Sequence, residues 1–326
     1  MLFYSVVVPV YNRPQEVEEL LASLTQQTYK NFEVLIIEDG STKKCEQVVN
    51  IYKSKLQISY YFKENSGQGF TRNFGFERAK GDYFVVFDSD CIIPDNYFAS
   101  VNQFLANHPV DAFGGPDKAH PDFNDLQKAI SYSMTSPLTT GGIRGNKKHV
   151  GKFHPRSFNM GISKAVFAKT KGYKITRMGE DIEFSIRILK EGFSTALIPE
   201  AFVYHKRRTS LSQLYKQLHF FGRARLNVNR FWPGELKLVH LLPLFFVLGL
   251  FGWVATFWLF YPLFKIGGYF LLLYFVSIFW HSMLRNFSVN VGFLSMISSF
   301  IQLFGYGMGI IAEVVKPRGN QFFAQK

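Results

Sequence analysis

An apolar run, Tyr83-Phe84-Val85-Val86-Phe87, ends abruptly in Asp88-Ser89-Asp90-Cys91. Two carboxylates one residue apart repel each other, and a divalent cation such as Mg²⁺ or Mn²⁺ between or beside them relieves the repulsion most simply. If the chain stays extended there, Asp88 and Asp90 share a face, because strand residues i and i+2 point the same way. Asp and Ser also gather in turns for local hydrogen-bonding reasons, so the pair by itself decides nothing. Two more polar clusters close apolar runs in the same manner, Pro9-Val10-Tyr11-Asn12 and Glu38-Asp39-Gly40-Ser41. Farther along, Gly179-Glu180-Asp181 opens a stretch in which Ile182, Ser185, Ile186 and Leu189 recur at helical spacing. Acids at a helix start are favoured by capping and by the helix dipole, and the same position suits a general base.

These groups need elements to carry them. Residues 2 to 8 and 32 to 37 are continuous apolar runs of the kind buried on both faces of a parallel sheet, and residues 58 to 62 form a third strand. Between them, Val17, Leu20, Leu21 and Leu24 mark a helix over 14 to 26, with Pro14 at its start, and residues 42 to 54 and 70 to 80 are also helical. A helix from 94 to about 105, a strand over 111 to 114 and a strand over 157 to 162 follow. Strands alternating with helices predict an α/β fold with an open, mostly parallel sheet. In such a sheet the three polar clusters lie on one rim, where ligands bind as strand order reverses. The loop carrying Gly67 and Gly69 has the spacing of neither a P-loop nor a dinucleotide fingerprint.

Composition divides the chain. Lys and Arg number 37 against 24 Asp and Glu, a formal net charge of +13, yet no nucleic-acid-binding motif accompanies it. Between Leu238 and Val315 the formally charged residues are Lys265, Arg285 and Glu313, which predicts three apolar segments near 238–263, 267–284 and 289–312 long enough to span a membrane. Just before them, Lys206, Arg207, Arg208, Lys216, Arg223, Arg225 and Arg230 interleave with Leu211, Leu214, Tyr215, Leu218, Phe220 and Phe221. Residues 209 to 236 are therefore expected to form a basic amphipathic helix on membrane lipids, with no nucleic acid as partner. By the same charges the preceding domain, 1 to 208, is placed on the cytosolic side of an inner or plasma membrane. Three full crossings then leave Lys316, Arg318 and Lys326 outside, against that rule, so either the charge ahead of the first segment dominates or one segment is re-entrant or interfacial. Cys45 and Cys91 are too few for a disulfide framework or a zinc site, which suits a reducing setting, and the N-terminus reads as a first strand, not a signal peptide.

Four stretches together resemble the family 2 glycosyltransferases of the GT-A fold: Ser5-Val6-Val7-Val8-Pro9-Val10-Tyr11-Asn12, Glu33-Val34-Leu35-Ile36-Ile37-Glu38-Asp39-Gly40-Ser41, Gly69-Phe70-Thr71-Arg72-Asn73-Phe74-Gly75, and Gly81-Asp82-Tyr83 running into Asp88-Ser89-Asp90. The resemblance implies a nucleotide-diphosphate sugar donor. Pro9, Tyr11, Asn12 and Asp39 would lie at the nucleotide base, Arg72 and Asn73 near the ribose and phosphates, and Asp88 and Ser89 at the ribose. Asp90 would bind Mn²⁺ or Mg²⁺, with Asp88 beside it. His205 resembles the histidine that completes such a metal or diphosphate site. Gly179-Glu180-Asp181 resembles the acceptor-side motif, which makes Asp181 the general base of an inverting transfer. Arg13 and Cys91 depart from the common pattern, where acidic residues stand. Gln217-Leu218-His219-Phe220-Phe221 departs from the Gln-x-x-Arg-Trp of processive synthases, so transfer of a single sugar is expected. The acceptor is expected to be lipid-linked or a cell-envelope glycan, with polyprenyl phosphate as the rival acceptor. From another class, an inactive membrane scaffold or transport subunit remains the alternative. The basic stretch Gly141-Gly142-Ile143-Arg144-Gly145-Asn146-Lys147-Lys148 is either a surface insertion or a loop over the acceptor site.

Overall fold

The computed structural model describes residues 1–118, 120, 122–140, 153–206 and 208–318. In chain order the elements are β1 (Tyr4–Val10), α1 (Pro14–Thr25), β2 (Phe32–Asp39), α2 (Glu46–Tyr52), β3 (Ile58–Lys63), α3 (Gln68–Phe76), β4 (Tyr83–Phe87), β5 (Cys91–Ile92), α4 (Tyr97–Asn107), β6 (Ala112–Gly114) and β7 (Asp117–Lys118). They continue with α5 (Asp125–Thr135), α6 (Pro137–Thr140), β8 (Asn159–Ser163), α7 (Lys164–Thr170), α8 (Glu180–Lys190), β9 (Thr195–Leu197) and β10 (Val203–His205). The last four are helices: α9 (Leu211–Phe231), α10 (Leu238–Leu259), α11 (Tyr261–Asn286) and α12 (Val289–Val315).

The chain divides into two compact units, and the first holds 1–118 and 153–206 of the described residues. Its seven-stranded sheet has the order β3-β2-β1-β4-β8-β6-β9. β1 pairs in parallel with both β2 and β4, so the winding reverses between β1 and β4 and opens a crevice at their carboxyl ends. β8 runs antiparallel to β4 and β6, which makes the sheet mixed. Its two faces carry separate cores. Val6, Val8, Val34 and Ile36 pack with Leu20, Leu21 and Leu24 on one side, and Val7, Leu35, Ile37 and Val86 pack with Phe76, Phe184 and Ile188 on the other. Burial on both faces is why these strands read as unbroken apolar runs. A small second sheet, β5-β10-β7, sets His205 opposite Cys91 in antiparallel register.

The strand does not continue through the acidic pair. β4 stops at Phe87, and the Cys91 N–H donates to the Asp88 carbonyl at 3.1 Å, closing a turn over Asp88-Ser89-Asp90. The expectation of a shared face for Asp88 and Asp90 fails for that reason, since the period of two ends with the strand.

The second unit holds 120, 122–140 and 208–318 of the described residues, so α5 and α6 group with the C-terminal helices. The physical cause is an apolar face that needs a partner: Ile130 and Met134 of α5 pack against Leu214 and Leu218 of α9. The basic loop 141–148 lies outside the described residues. Three helices, α10, α11 and α12, are long and apolar enough to cross a membrane. The break between the first two falls at Phe260, ahead of Pro262 in the first turn of α11, and not around Lys265 as the charge pattern had placed it. Proline fits the first turn of a helix and disrupts its interior, so it outweighs one lysine as a boundary.

The basic helix α9 is committed inward along one side. Leu214, Leu218, Gly222, Arg223, Ala224, Asn227 and Val228 are buried. Arg223 and Arg230 each contact the fully buried Glu313 at 2.7 Å, and the Arg318 backbone N–H donates to the same carboxylate at 3.0 and 3.2 Å. A buried carboxylate persists only when paired and hydrogen-bonded in this way. Glu313→Ala, which strands Arg223, is expected to lower the unfolding free energy of the detergent-solubilised protein by about 3–5 kcal/mol. Replacing Arg223 and Glu313 together by methionine should recover most of that loss in the same melts. Equal losses for the single and double substitutions would refute a clamp.

Candidate active site

Three loops meet at the carboxyl ends of β1, β2 and β4. Asn12 sits in the left-handed region at φ 56°, and its Oδ1 accepts hydrogen bonds from the Thr42 and Lys43 N–H groups at 2.9 and 2.8 Å. The Asn12 N–H donates to Ser41 Oγ at 2.9 Å, so this side chain braces the β1 loop against the β2 loop. Asn tolerates the left-handed conformation better than most residues, which is why it can serve here. Asp39 organises the neighbouring loop. Lys63 Nζ and the Ser66 N–H donate to its Oδ1 at 2.8 Å, and the Gly67 N–H donates to Oδ2 at 2.9 Å. Burial alone would raise this carboxyl, but the Lys63 ammonium and the Ser66 N–H together hold it below its usual value. Tyr11 is 53% exposed at the end of β1, with its ring open to a stacking partner.

The second half of the site hangs on Arg72. A Cβ on Gly69 would stand 2.4 Å from the Ile175 carbonyl oxygen, so glycine lets the first turn of α3 close against residues 175–176. One turn of α3 runs from there to Arg72, which is 2% exposed. Its Nη2 donates to Asp88 Oδ1 at 2.9 Å and its Nη1 to Glu180 Oε1 at 3.3 Å, while Gln68 also donates to that Glu180 oxygen. A planar guanidinium with several fixed donors suits such a bridge. Asn73 is spent on the same joint: Nδ2 donates to the Tyr173 carbonyl at 2.9 Å and Oδ1 accepts from the Tyr173 N–H at 2.7 Å. The start of α8 is thereby tied to the end of β4.

Gly179 caps α8 in the left-handed conformation at φ 95°, and Glu180 and Asp181 occupy its first turn. Asp181 Oδ2 accepts from Arg156 Nη1 at 3.1 Å and Oδ1 from the Ile182 N–H at 2.9 Å. Glu180 is the buried member of this pair. Burial first, then the adjacent Asp181, pushes its carboxyl up to about 7, against a smaller opposing pull from Arg72.

Asp90 faces a different set. Arg13 Nη1 lies 2.7 Å from Oδ2, and His205 Nε2 lies 3.1 Å from Oδ1. β10 delivers that histidine by pairing with β5, and Phe158 stacks on its ring at 5.4 Å. Asp90, Cys91 and His205 bring ligand atoms within 4.8 Å of one another, the kind of grouping that can hold a metal ion. A carboxylate oxygen and an imidazole nitrogen fit a divalent cation. The Cys91 thiol is a poor third donor, because burial and the nearby Asp90 and Asp88 carboxylates raise its pKa strongly and it packs within the core of the sheet.

Contacts join Arg72, Asp88 and Glu180 in one group and Arg13, Asp90 and His205 in another, with Asp181 held by Arg156. Asp88 joins Arg72 and Glu180, apart from the Asp90–His205 pair that it was expected to share. Arg13 and Arg156, which hold Asp90 and Asp181, were missed as site residues. Arg13 was visible only as a departure from pattern, and Arg156 carried no sequence signal.

Comparison with known proteins places the family and the fold. The family described as "Glycosyl transferase family 2" matches residues 5–170. An uncharacterised glycosyltransferase of Haemophilus influenzae is 30% identical over 215 residues, covering 64% of this chain and 70% of that protein. The poly(ribitol-phosphate) beta-N-acetylglucosaminyltransferase TarS of Staphylococcus aureus is 33% identical over 115 residues, 34% of this chain and 20% of TarS. The chain likewise spans only 18% of the length of an uncharacterised Rickettsia felis glycosyltransferase that it matches at 38% identity. Among solved structures, the mannosyltransferase PcManGT of Pyrobaculum calidifontis, in complex with GDP-Man and Mn²⁺, aligns with a TM-score of 0.63 at 17% identity over 93% of this chain and 87% of that one. TarS residues 1–349 with UDP-GlcNAc aligns at 0.50 and 21% identity over 69% and 67% of the two chains. These likenesses establish the GT-A fold.

The raised Glu180 carboxyl makes a test of the joint. Its ordinary value is 4.5, so the folded state holds this proton where the unfolded state has lost it. The stability it lends is full below about pH 4.5 and drains as pH rises through 7. Relative to Glu180→Gln, the wild type is expected to lose about 2 kcal/mol of unfolding free energy between pH 5 and pH 8, read by chemical denaturation at each pH. A difference that stays flat or grows across that range would count against it.

Proposed function

The chain belongs to glycosyl transferase family 2, and on that premise we propose that it moves one sugar, with inversion, from a nucleotide-diphosphate donor to a lipid-linked or cell-envelope glycan acceptor at the cytosolic face of a membrane. The observation that carries this reading is the Arg72 bridge, which holds the α8 carboxylates against the end of β4 at the crevice where nucleotides bind in open α/β sheets. The donors named in the solved relatives, UDP-GlcNAc and GDP-Man, support a nucleotide sugar here.

In this reading Tyr11 stacks on the base, with Pro9 and Asp39 beside it. Asn12 shapes that floor, and Asn73 fixes the joint with residue 173. Asp88 and Ser89 lie at the ribose, and Arg72 is close enough to the crevice to attract the diphosphate. Asp90 and His205 would hold Mn²⁺ or Mg²⁺, which when bound would supply charge neutralisation at the departing diphosphate. The bond from the anomeric carbon to the phosphate oxygen breaks, and its electron pair leaves with the nucleotide. The acceptor oxygen bonds to that carbon from the opposite side as Asp181 takes its proton. Arg156 and the Ile182 N–H orient Asp181, leaving each oxygen with a further lone pair for that proton. Gly179 and Glu180 set the acceptor side.

A second reading, transfer to polyprenyl phosphate itself, draws on the basic side chains of α9. Polyprenyl phosphate and lipid-linked saccharides, offered separately with a panel of nucleotide sugars, separate the two.

Asp181→Asn is expected to lower kcat by about 10²–10⁴-fold while leaving donor affinity near wild type. Wild-type turnover in that variant, or a product that retains the donor configuration, would defeat the assignment. Metal binding has its own readout. Arg13 neutralises Asp90, so Arg13→Ala is expected to tighten Mn²⁺ binding about two- to fivefold by calorimetry, the size of a partly exposed ion pair. Asp90→Ala should abolish it. Unchanged affinity in both would remove Asp90 from the metal site.

A further inference from the structure

The membrane reading above leaves a conflict, since three crossings would set Lys316 and Arg318 on the side away from the catalytic unit. The packing of the second unit resolves it. α10 and α11 form a hairpin whose tip lies at Phe260. There Trp253 Nε1 donates to the Phe264 carbonyl at 2.8 Å, and the two rings stack at 4.8 Å. α12 then follows the base of that hairpin. Its first half lies on the last turns of α11, with Phe279 and Phe293 rings 4.7 Å apart and Ser282 and Ser295 hydroxyls at 2.7 Å. Its second half lies against the first turns of α10 and along α9. A Cβ on Gly307 would stand 2.3 Å from the Pro243 carbonyl oxygen, and one on Gly309 would stand 2.1 Å from that of His219. The Glu313 contacts to Arg223 and Arg230 complete the run.

A helix crossing alongside α10 would end beside residues 254–259, one bilayer thickness of about 30 Å from the start of α10. Instead Glu313 meets Arg230, which precedes Leu238 by eight positions. Carrying that contact to the far face would drag two arginines through hydrocarbon, where charges are costly. Burial agrees: within its most apolar stretch α12 is 44% buried in protein, against 6% for α10 and for α11. α5 supplies an independent marker. The segment containing it leaves and rejoins the catalytic sheet, and its Tyr132 hydroxyl lies 2.6 Å from His281 Nδ1 near the end of α11.

We propose that α12 is not a third crossing: α10 and α11 span as a hairpin, and α12 returns along the leaflet on the catalytic side, where its partner is the boundary between headgroups and acyl chains. Val289, Phe293 and Ile297 remain exposed on α12 to meet it. Lys316 and Arg318 then join the catalytic side, as the distribution of positive charge requires.

The full chain in sealed vesicles of known orientation, bearing single cysteines Thr209→Cys, Phe260→Cys or Lys316→Cys, tests this with a membrane-impermeant maleimide. The native Cys45 and Cys91 are buried and serve as background. Lys316→Cys is expected to label from the same side as Thr209→Cys and from the side opposite Phe260→Cys. Labelling of Lys316→Cys together with Phe260→Cys overturns the proposal while leaving membrane anchoring intact. Labelling of Thr209→Cys and Phe260→Cys from one side overturns both. A fluorescent-protein fusion at Lys326, emitting only when the C-terminus is cytosolic, gives the same answer without cysteine substitution; a dark fusion counts against the proposal.

Discussion

A single guanidinium holds this catalytic unit in working order. Arg72 is removed from water, and such a cation survives only where an anion meets it, so the end of β4 must present the Asp88 carboxylate to it while Glu180 at the start of α8 adds a further acceptor oxygen. The requirement runs in both directions. Glu180, also buried, has its acidity weakened by that burial and by Asp181, and Arg72 only partly restores it. The Asn73 pairing with the backbone of residue 173 repeats the connection one residue along. The turn after β4 and the start of α8 thus share one joint.

The acidic side chains around the crevice divide labour by what each faces. Asp88 is committed to a protein cation that cannot leave. Asp90 is matched by Arg13, a cation on a partly exposed side chain, and by an imidazole. Asp181 faces Arg156, also partly exposed. On the proposed function, the exchangeable partners sit where a ligand or a proton arrives, and the permanent one sits where geometry has to be kept.

Much of this was legible in the chain. The apolar runs ending at Val10, Asp39 and Phe87 marked parallel strands because burial on both faces leaves no room for alternation, and their polar endings marked the rim. The period of Ile182, Ser185 and Ile186 placed Glu180 and Asp181 at a helix start. What stayed hidden were pairings between distant positions. Nothing local told that Asp88 and Asp90 would part, because that depends on a turn closing through the Cys91 N–H. Arg156 reaches Asp181 across 25 residues. The apolar face of α5 finds its partners on α9, in a different part of the chain. The basic helix, read as a lipid surface, also proved to be the seat of a buried acid in α12.

The joint at Arg72 and Asn73 has a bearing on how such an enzyme can change. Neither residue reaches its partners by way of the stretch that leaves the sheet after β7 and returns at β8. Changes in the part of that excursion ahead of residue 153 therefore leave the Arg72 and Asn73 joint untouched, whereas Arg156 near its end has to stay in place for Asp181.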